Sequence, residues 1–415
     1  MSRKATIVVA VGALAYVSAV TQRSTMGIAS LVATERFHTT AEQLSALAVA
    51  QLLVYASMQI PVGLLLDRFG ARVLLTIGAI SMAAGQFVVA YSTQLSMAVA
   101  GRMLVGFGDA FTFISMIRLI NGWYTGRRAS QLQQWLGNGG QVGQIVSAVP
   151  FSYLLHADGW TRAFAVWATG AAIIAVAAWL LIADEPFGAK HHSVDFRQRI
   201  RQLGQNIRKP STQMAFWVHF TTQSSTTSLV LLWGVPFLEQ AEGLPKPLVL
   251  TILSSFVLIG FVFGLTFGQL CAHRPNWRKP AVTFTALTML SSWVVLIAWP
   301  GRAPLWLMLV WLVTTAMNAP ASMVAMDYTR QYVPKQQLGS VNGFVNIGGF
   351  SATFTMMYLI GVILDLHHNW FGKGEPLYSL NGFRFAFMSV VVIIGFGLSM
   401  YRWNERRSRS ELAAE

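Results

Sequence analysis

Stretches of about twenty apolar residues follow one another along this chain, parted by short polar connectors. A helix rises about 1.5 Å per residue, so roughly 20 apolar residues cross the hydrocarbon core of a bilayer. Twelve stretches fit: 5–33, 44–66, 73–92, 102–123, 132–155, 162–183, 214–237, 248–271, 281–299, 304–326, 341–364 and 383–403. The one long hydrophilic segment, 184–212, separates residues 1–183 from 213–415, six spans on each side. The pattern predicts an all-α membrane protein of twelve transmembrane helices, built as two six-helix bundles with a linker between them.

Charge then orients the spans. Of the 30 lysines and arginines, only Arg36, Lys246, Arg302 and Lys373 fall in outer connectors if the N-terminus is inside. Arg23, Arg102, Arg118, Arg162 and Arg384 lie within or at the ends of spans, and the rest fall in cytosolic segments. Basic residues accumulate on the cytosolic side of membrane proteins, so both termini are expected there. The linker carries Phe196, Ile200, Leu203 and Ile207 at helical spacing among Arg197, Arg199, Arg201, Arg208 and Lys209. That pattern fits a basic amphipathic helix on anionic headgroups, or equally a solvated linker.

Composition agrees and removes other classes. The chain is 54% hydrophobic and 11% charged, against roughly 25% charged in soluble domains. The net charge of +14 is explained by topology, without nucleic acid. A single cysteine, Cys271, allows neither a disulfide framework nor a cysteine metal cluster. There is no nucleophile elbow, metal-ligand cluster or carboxylate pair, and His191-His192 and His367-His368 fall in connectors. No enzyme, cofactor or metal site is expected. Arg3 and Lys4 precede an apolar run too long for a signal peptide core, so no cleaved leader is expected.

The halves repeat each other weakly. Gly63 to Arg72 after the second span is echoed by Gly268 to Arg278 after the eighth. Gly159-Trp160-Thr-Arg162-Ala-Phe164 is echoed by Gly382-Phe-Arg384-Phe-Ala-Phe387, and Gly139-Gly140 by Gly348-Gly349. Parallel six-helix repeats are a transporter architecture.

Pro61-Val-Gly63-Leu-Leu-Leu-Asp67-Arg68-Phe-Gly70-Ala-Arg72 resembles the signature loop between helices 2 and 3 of the major facilitator superfamily, and Arg102-Met-Leu-Val-Gly106 resembles its helix 4 motif. With the repeat, the resemblance covers nearly the whole chain. It implies alternating access about a site lined by helices 1, 4, 7 and 10. Gly63, Asp67, Arg68, Gly70, Arg72 and Arg102 are the gating candidates. Gly63 and Gly70 would permit close helix approach and a tight turn, and Asp67 would form an ion pair that breaks as the gate opens.

Ionisable residues at membrane depth are costly, which makes each a candidate. Arg23 lies deep in the first span, in Val20-Thr21-Gln22-Arg23-Ser24. The anion:cation symporter and sugar-phosphate permease branches resemble this, with an arginine facing an anionic substrate. Many such symporters carry an aspartate before that arginine where Gln22 stands here. Asp109 and Arg118 on the fourth span also resemble those branches. Asp109 is either the proton-coupling group or the structural partner of Arg102, which shares its helix face. Arg118 either joins Arg23 in a cationic cavity or snorkels to headgroups. Helix 7 lacks the second arginine of sugar-phosphate exchangers and carries His219 and Thr221 to Ser228 instead. That polar run would bind hydroxyls, or join helices. Substrate-binding candidates are therefore Arg23, Arg118, Gln22, Tyr55, Gln223, Thr227 and Asn318. Weaker candidates are Gln51, Gln134, Asn138, Gln141, Asn342 and Asn346.

The reading is a monomeric, multi-pass cell-membrane transporter of a small organic anion, with that solute, the lipid bilayer and a symported proton as its partners. The alternatives are a drug efflux antiporter, for which the fifth span lacks the Gly-Pro pair, a carrier of small peptides or zwitterions, and a transporter-like sensor.

Overall fold

In the computed structural model, the described residues are 3–124, 126–184, 196–334, 337–372 and 374–414; within them, the side chain of Asp67, those of Gln134, Asn138 and Gln141, and several in the linker helix lie outside the described set. The described residues form helices and no strand. In chain order these are α1 (Arg3–Phe37), α2 (Ala41–Gly63), α3 (Arg68–Tyr91), α4 (Leu95–Trp123), α5 (126–157), α6 (Gly159–Leu181), α7 (Phe196–Ile207) and α8 (210–241). They continue as α9 (Lys246–His273), α10 (Arg278–Ala298), α11 (305–332), α12 (Leu338–Phe371) and α13 (Leu380–Ala414).

Among the described residues, ten helices are long and apolar enough to cross a membrane. α5 and α8 fold as helices without joining those ten, because α5 opens on a polar stretch and α8 carries the run from Thr221 to Ser228. Both contain π-helical turns, at Ser147–Phe151 around Pro150 and at Leu229–Trp233 and Pro236–Ala241. Such turns absorb a missing amide and frequently mark functional sites. α11 is interrupted after Ala316 and again after Ala321, around Pro320. Its broken stretch runs on three-residue bonds, with Met323 N–H to Pro320 O at 3.1 Å and Ala325 N–H to Ser322 O at 3.1 Å.

The chain divides into two compact units, Met1–Val32 with Ala50–Phe196, and Ala33–Val49 with Arg197–Glu415. In the first, α3 meets α4 along glycines. A Cβ on Gly78 would stand 2.6 Å from Gly108 O, and one on Gly85 2.6 Å from Gly101 O. α5 approaches α1 the same way, since a Cβ on Gly143 would stand 2.6 Å from Val17 O. Close backbone approach through small residues is how helices associate where lipid supplies no hydrophobic drive.

The second unit packs around rings. Trp293 lies edge-on to Trp311 at 5.3 Å and to Phe387 at 4.8 Å, and Phe237 edge-on to Phe387 at 4.9 Å. The tip of the α1–α2 hairpin belongs to this unit. The Asp365 carboxylate at the end of α12 accepts from Ala41 N–H at 2.9 Å and Glu42 N–H at 2.7 Å, satisfying the first amides of α2. Tyr358 donates to Glu42 Oε1 at 2.6 Å.

The glycine seam generates a prediction. Gly85→Ala forces a methyl onto backbone atoms that cannot yield, and overpacking of this kind costs about 1–3 kcal/mol. Gly170→Ala, on α6, meets nothing within 4 Å and should be neutral or slightly stabilising. Thermal unfolding of the purified protein in detergent should show a lower Tm for the first variant only.

Candidate substrate and proton site

At the middle of α1, the Arg23 guanidinium meets the Asp109 carboxylate of α4 fork to fork. Nε donates to Oδ2 at 2.6 Å and Nη2 to Oδ1 at 2.8 Å. Asp109 is wholly buried, whereas the Arg23 side chain keeps 14% of its surface exposed. The Tyr55 ring of α2 lies against the guanidinium, 4.7 Å from its carbon. Tyr16, seven residues before Arg23 and so on the same face of α1, packs its ring on Phe113 at 5.6 Å. Low dielectric amplifies the attraction of the two charges while burial costs each of them its hydration, so the pairing is what makes both tolerable here.

Arg102 is not the partner of Asp109. Its side chain is buried and turns to α1, where it donates to Gln22 O at 3.2 Å, Thr25 Oγ1 at 3.2 Å and Arg23 O at 2.9 Å, and also to Gln51 Oε1 of α2. Sharing a face of α4 with Asp109 did not make the two a pair, because α1 offers both of them partners. Arg102 thus ties down the backbone that carries Arg23. Gln22 is equally committed: it donates to Trp167 O at 2.8 Å and accepts from Gln86 at 2.7 Å. The position preceding Arg23 fastens α1 to α3 and α6.

Arg118 is half-buried. It lies nine residues beyond Asp109, about 13 Å along α4, whereas Arg23 is held at Asp109 itself. In the second unit, Gln223 and Thr227 on α8 are half-buried, and Thr227 donates to Gln223 O of its own helix at 2.9 Å. Asn318 is wholly buried and donates to Thr285 O at 3.0 Å and Thr314 O at 2.8 Å. It repairs the break in α11, the interhelical role a kink at Pro320 invites. His219 on α8 is buried between the Ser322 carbonyl of α11 and Asn346 of α12.

At the α2–α3 turn, Gly70 adopts φ 78°, ψ 170°, a conformation open to glycine. Among the described residues, nothing lies within 4 Å of where a Gly63 Cβ would stand. The carboxylate described at this turn is Asp184, just past α6. It accepts from Arg72 N–H at 2.9 Å and lies where a Gly70 Cβ would stand. Arg72 also donates to Trp179 O at 2.8 Å and stacks on that ring at 4.5 Å. Arg68 lies exposed against Phe69. Sequence reading passed over Asp184 as the start of the linker; its signal is an acid directly after a span, opposite a basic turn.

Two cations and one carboxylate at membrane depth can hold an anion and a proton. Among the described residues no cluster could hold a metal ion.

Comparison with known proteins gives the family. The chain matches the family model of the Major Facilitator Superfamily over residues 12–357. It is 21% identical over 384 residues to the probable galactarate/D-glucarate transporter GarP of Escherichia coli K12, covering 84% of this chain and 85% of that one. It is 23% identical to the probable galactarate/D-glucarate transporter GudP of Bacillus subtilis 168, covering 75% of each. A bacterial homolog of the human lysosomal transporter Spinster, solved inward-facing and unoccupied, superposes with a TM-score of 0.79 at 14% identity, over 98% of both chains. Residues 12–357 are most of the sequence, and they are the residues that carry the loop, the glycine seams and the buried arginines: this chain is a multi-pass membrane transporter, not an enzyme, and belongs to the Major Facilitator Superfamily.

Proposed function

We propose that the protein is a proton-coupled symporter of a small organic anion, a sugar acid such as galactarate or glucarate. The observation that carries this reading is the fork of Arg23 on Asp109. A carboxylate substrate presents the same two oxygens as Asp109 and competes for the same donors. When Asp109 takes a proton it loses its charge, and the Arg23 fork becomes available to the substrate. Arg23 and Arg102 are then balanced by the anion. Proton and anion each favour the other's binding, and that coupling is reciprocal. Arg23 is the member of the pair with exposed surface, which suits it to meet the solute, and Tyr55 keeps the guanidinium in place. Half-buried Gln223 and Thr227 are the candidates for the hydroxyls of the acid.

In this reading all twelve helices other than α7 cross the membrane, α5 and α8 included. Both termini face the cytosol, and residues 1–183 and 213–415 form the two bundles joined by 184–212. The protein works as a monomer in the cell membrane by alternating access. Gly70, Arg68, Arg72 and Asp67 form the cytosolic gate, and Arg102 supports the site. The names of the relatives support the substrate class.

Proteoliposomes with an inward proton gradient test this directly. Labelled galactarate should enter saturably, and Arg23→Ala should lower uptake at least tenfold, because a bidentate charge-assisted contact is worth about 1.5–3 kcal/mol. Entry of neutral or cationic solutes with Arg23→Ala unaffected would sink the anion reading. For coupling, Asp109→Asn should keep substrate exchange across the membrane while a trapped pH dye no longer records proton entry with galactarate. Undiminished proton entry in that variant would remove Asp109 from the proton path.

A further inference from the structure

Between α3 and α6 runs an apolar trough that the transport mechanism above does not use. Its volume is about 820 Å³, and it is lined from Val73 to Phe87 on α3 and from Ala172 to Leu180 on α6. Ile77, Ile80 and Phe87 form one exposed ridge, and Val176 and Leu180 the other. Ala83 and Ala175 are buried between the ridges and make the floor. At 1.5 Å per residue the trough follows α3 for about 21 Å. That exceeds one leaflet of a hydrocarbon core about 30 Å thick. Thr76 brings the one hydroxyl to the lining, and it donates to Arg72 O of its own helix at 2.8 Å.

Arg72 stands at one end of this trough. Val73 of the lining follows it directly, and Trp179 of the α6 wall lies against its guanidinium, 4.5 Å from the guanidinium carbon. Nε donates to Trp179 O at 2.8 Å, and the backbone N–H donates to the Asp184 carboxylate at 2.9 Å. Among the described residues the two Nη groups have no partner. α3 starts at Arg68 and α6 ends at Leu181, so Arg72 and Trp179 both sit at the ends of their spans. A tryptophan in that place lies at headgroup level. A free pair of Nη groups matches two oxygens of a phosphate diester.

We propose that the α3–α6 trough is a binding site for one phospholipid, with an acyl chain laid along the alanine floor and the phosphate on the Arg72 fork. One cation at the mouth of an otherwise apolar trough is the complement of an amphiphile with an anionic head. The turn carries Asp67 as well as Arg68 and Arg72 in sequence, and Asp184 joins it. Net charge therefore does not select the ligand; the fork of Arg72 does. Bound there, the phosphate fixes the arginine whose N–H holds Asp184, and so joins the Gly70 turn to the end of α6. The site lies wholly within the first unit and does not depend on which solute the protein carries.

Native mass spectrometry of the purified protein in detergent tests the proposal, with phosphatidylglycerol added and a diacylglycerol of the same chains, which lacks the phosphate, as the comparison. The wild type should retain one phosphatidylglycerol and hold it about fivefold more tightly than the diacylglycerol, which is what one arginine at a membrane surface contributes. Arg72→Gln should hold the two alike. Ala84 is exposed in the trough, so Ala84→Phe fills it from the surface, leaves Arg72 in place and should lose both lipids. Thermal unfolding checks that each variant is folded and gives a second readout: phosphatidylglycerol should raise the Tm of the wild type and leave that of Ala84→Phe unchanged. Equal retention of the two lipids by the wild type overturns the proposal, and so does full retention of phosphatidylglycerol by folded Ala84→Phe. A lipid-free dimer that Ala84→Phe separates into monomers would overturn it in favour of a second copy of this chain in the trough.

Discussion

A charge in the middle of a membrane must be answered by another charge or by hydrogen bonds, and the first unit is arranged around that requirement. Arg23 and Asp109 answer each other through two bonds. The remaining positive charge, on Arg102, is spread over the carbonyls of Gln22 and Arg23, the Thr25 hydroxyl and the Gln51 amide. Those contacts exist only if α1, α2 and α4 lie close together, and the glycines along α3, α4 and α5 let backbones approach. The seam and the ion pair are one design: without the first, the second would be neither positioned nor shielded.

The second unit handles polarity differently. No cation–carboxylate pair is described at the centre of its helices; it uses amides, hydroxyls and one imidazole around a break in α11. Asn318 donates to two carbonyls and restores part of what the break removes. A neutral polar lining is easier to bury than a charge. The two units thus meet buried polarity by different means: charge paired with charge in one, amides and hydroxyls in the other.

Much of this was written in the order of residues. Hydropathy predicted twelve spans, of which ten described helices are long and apolar enough to cross a membrane, and Arg23 and Asp109 stood out because charge inside a span is rare. What periodicity could not supply was the neighbour on another helix. Sharing a face put Arg102 beside Asp109, yet α1 intervened and took both. Gly63 and Gly70 look alike in sequence, but only Gly70 has the positive φ that demands glycine. Gln22 was read as facing the solute and instead binds α6, because the side of α1 it faces is set by packing against helices far away in sequence. Asp184 was hidden at a boundary, where a structural acid and a linker residue read the same.

The Asp365 carboxylate on the first amides of α2 has a consequence for anyone who labels or edits this protein. Residues 33–49 fold with the second unit although the helices they terminate begin or end in the first. A fluorophore at Gln43 would therefore report on the neighbourhood of α12 and not on the arginine site. An epitope inserted at the hairpin tip would disturb the C-terminal half of the sequence, three hundred residues away in the gene and one hydrogen bond away in the fold.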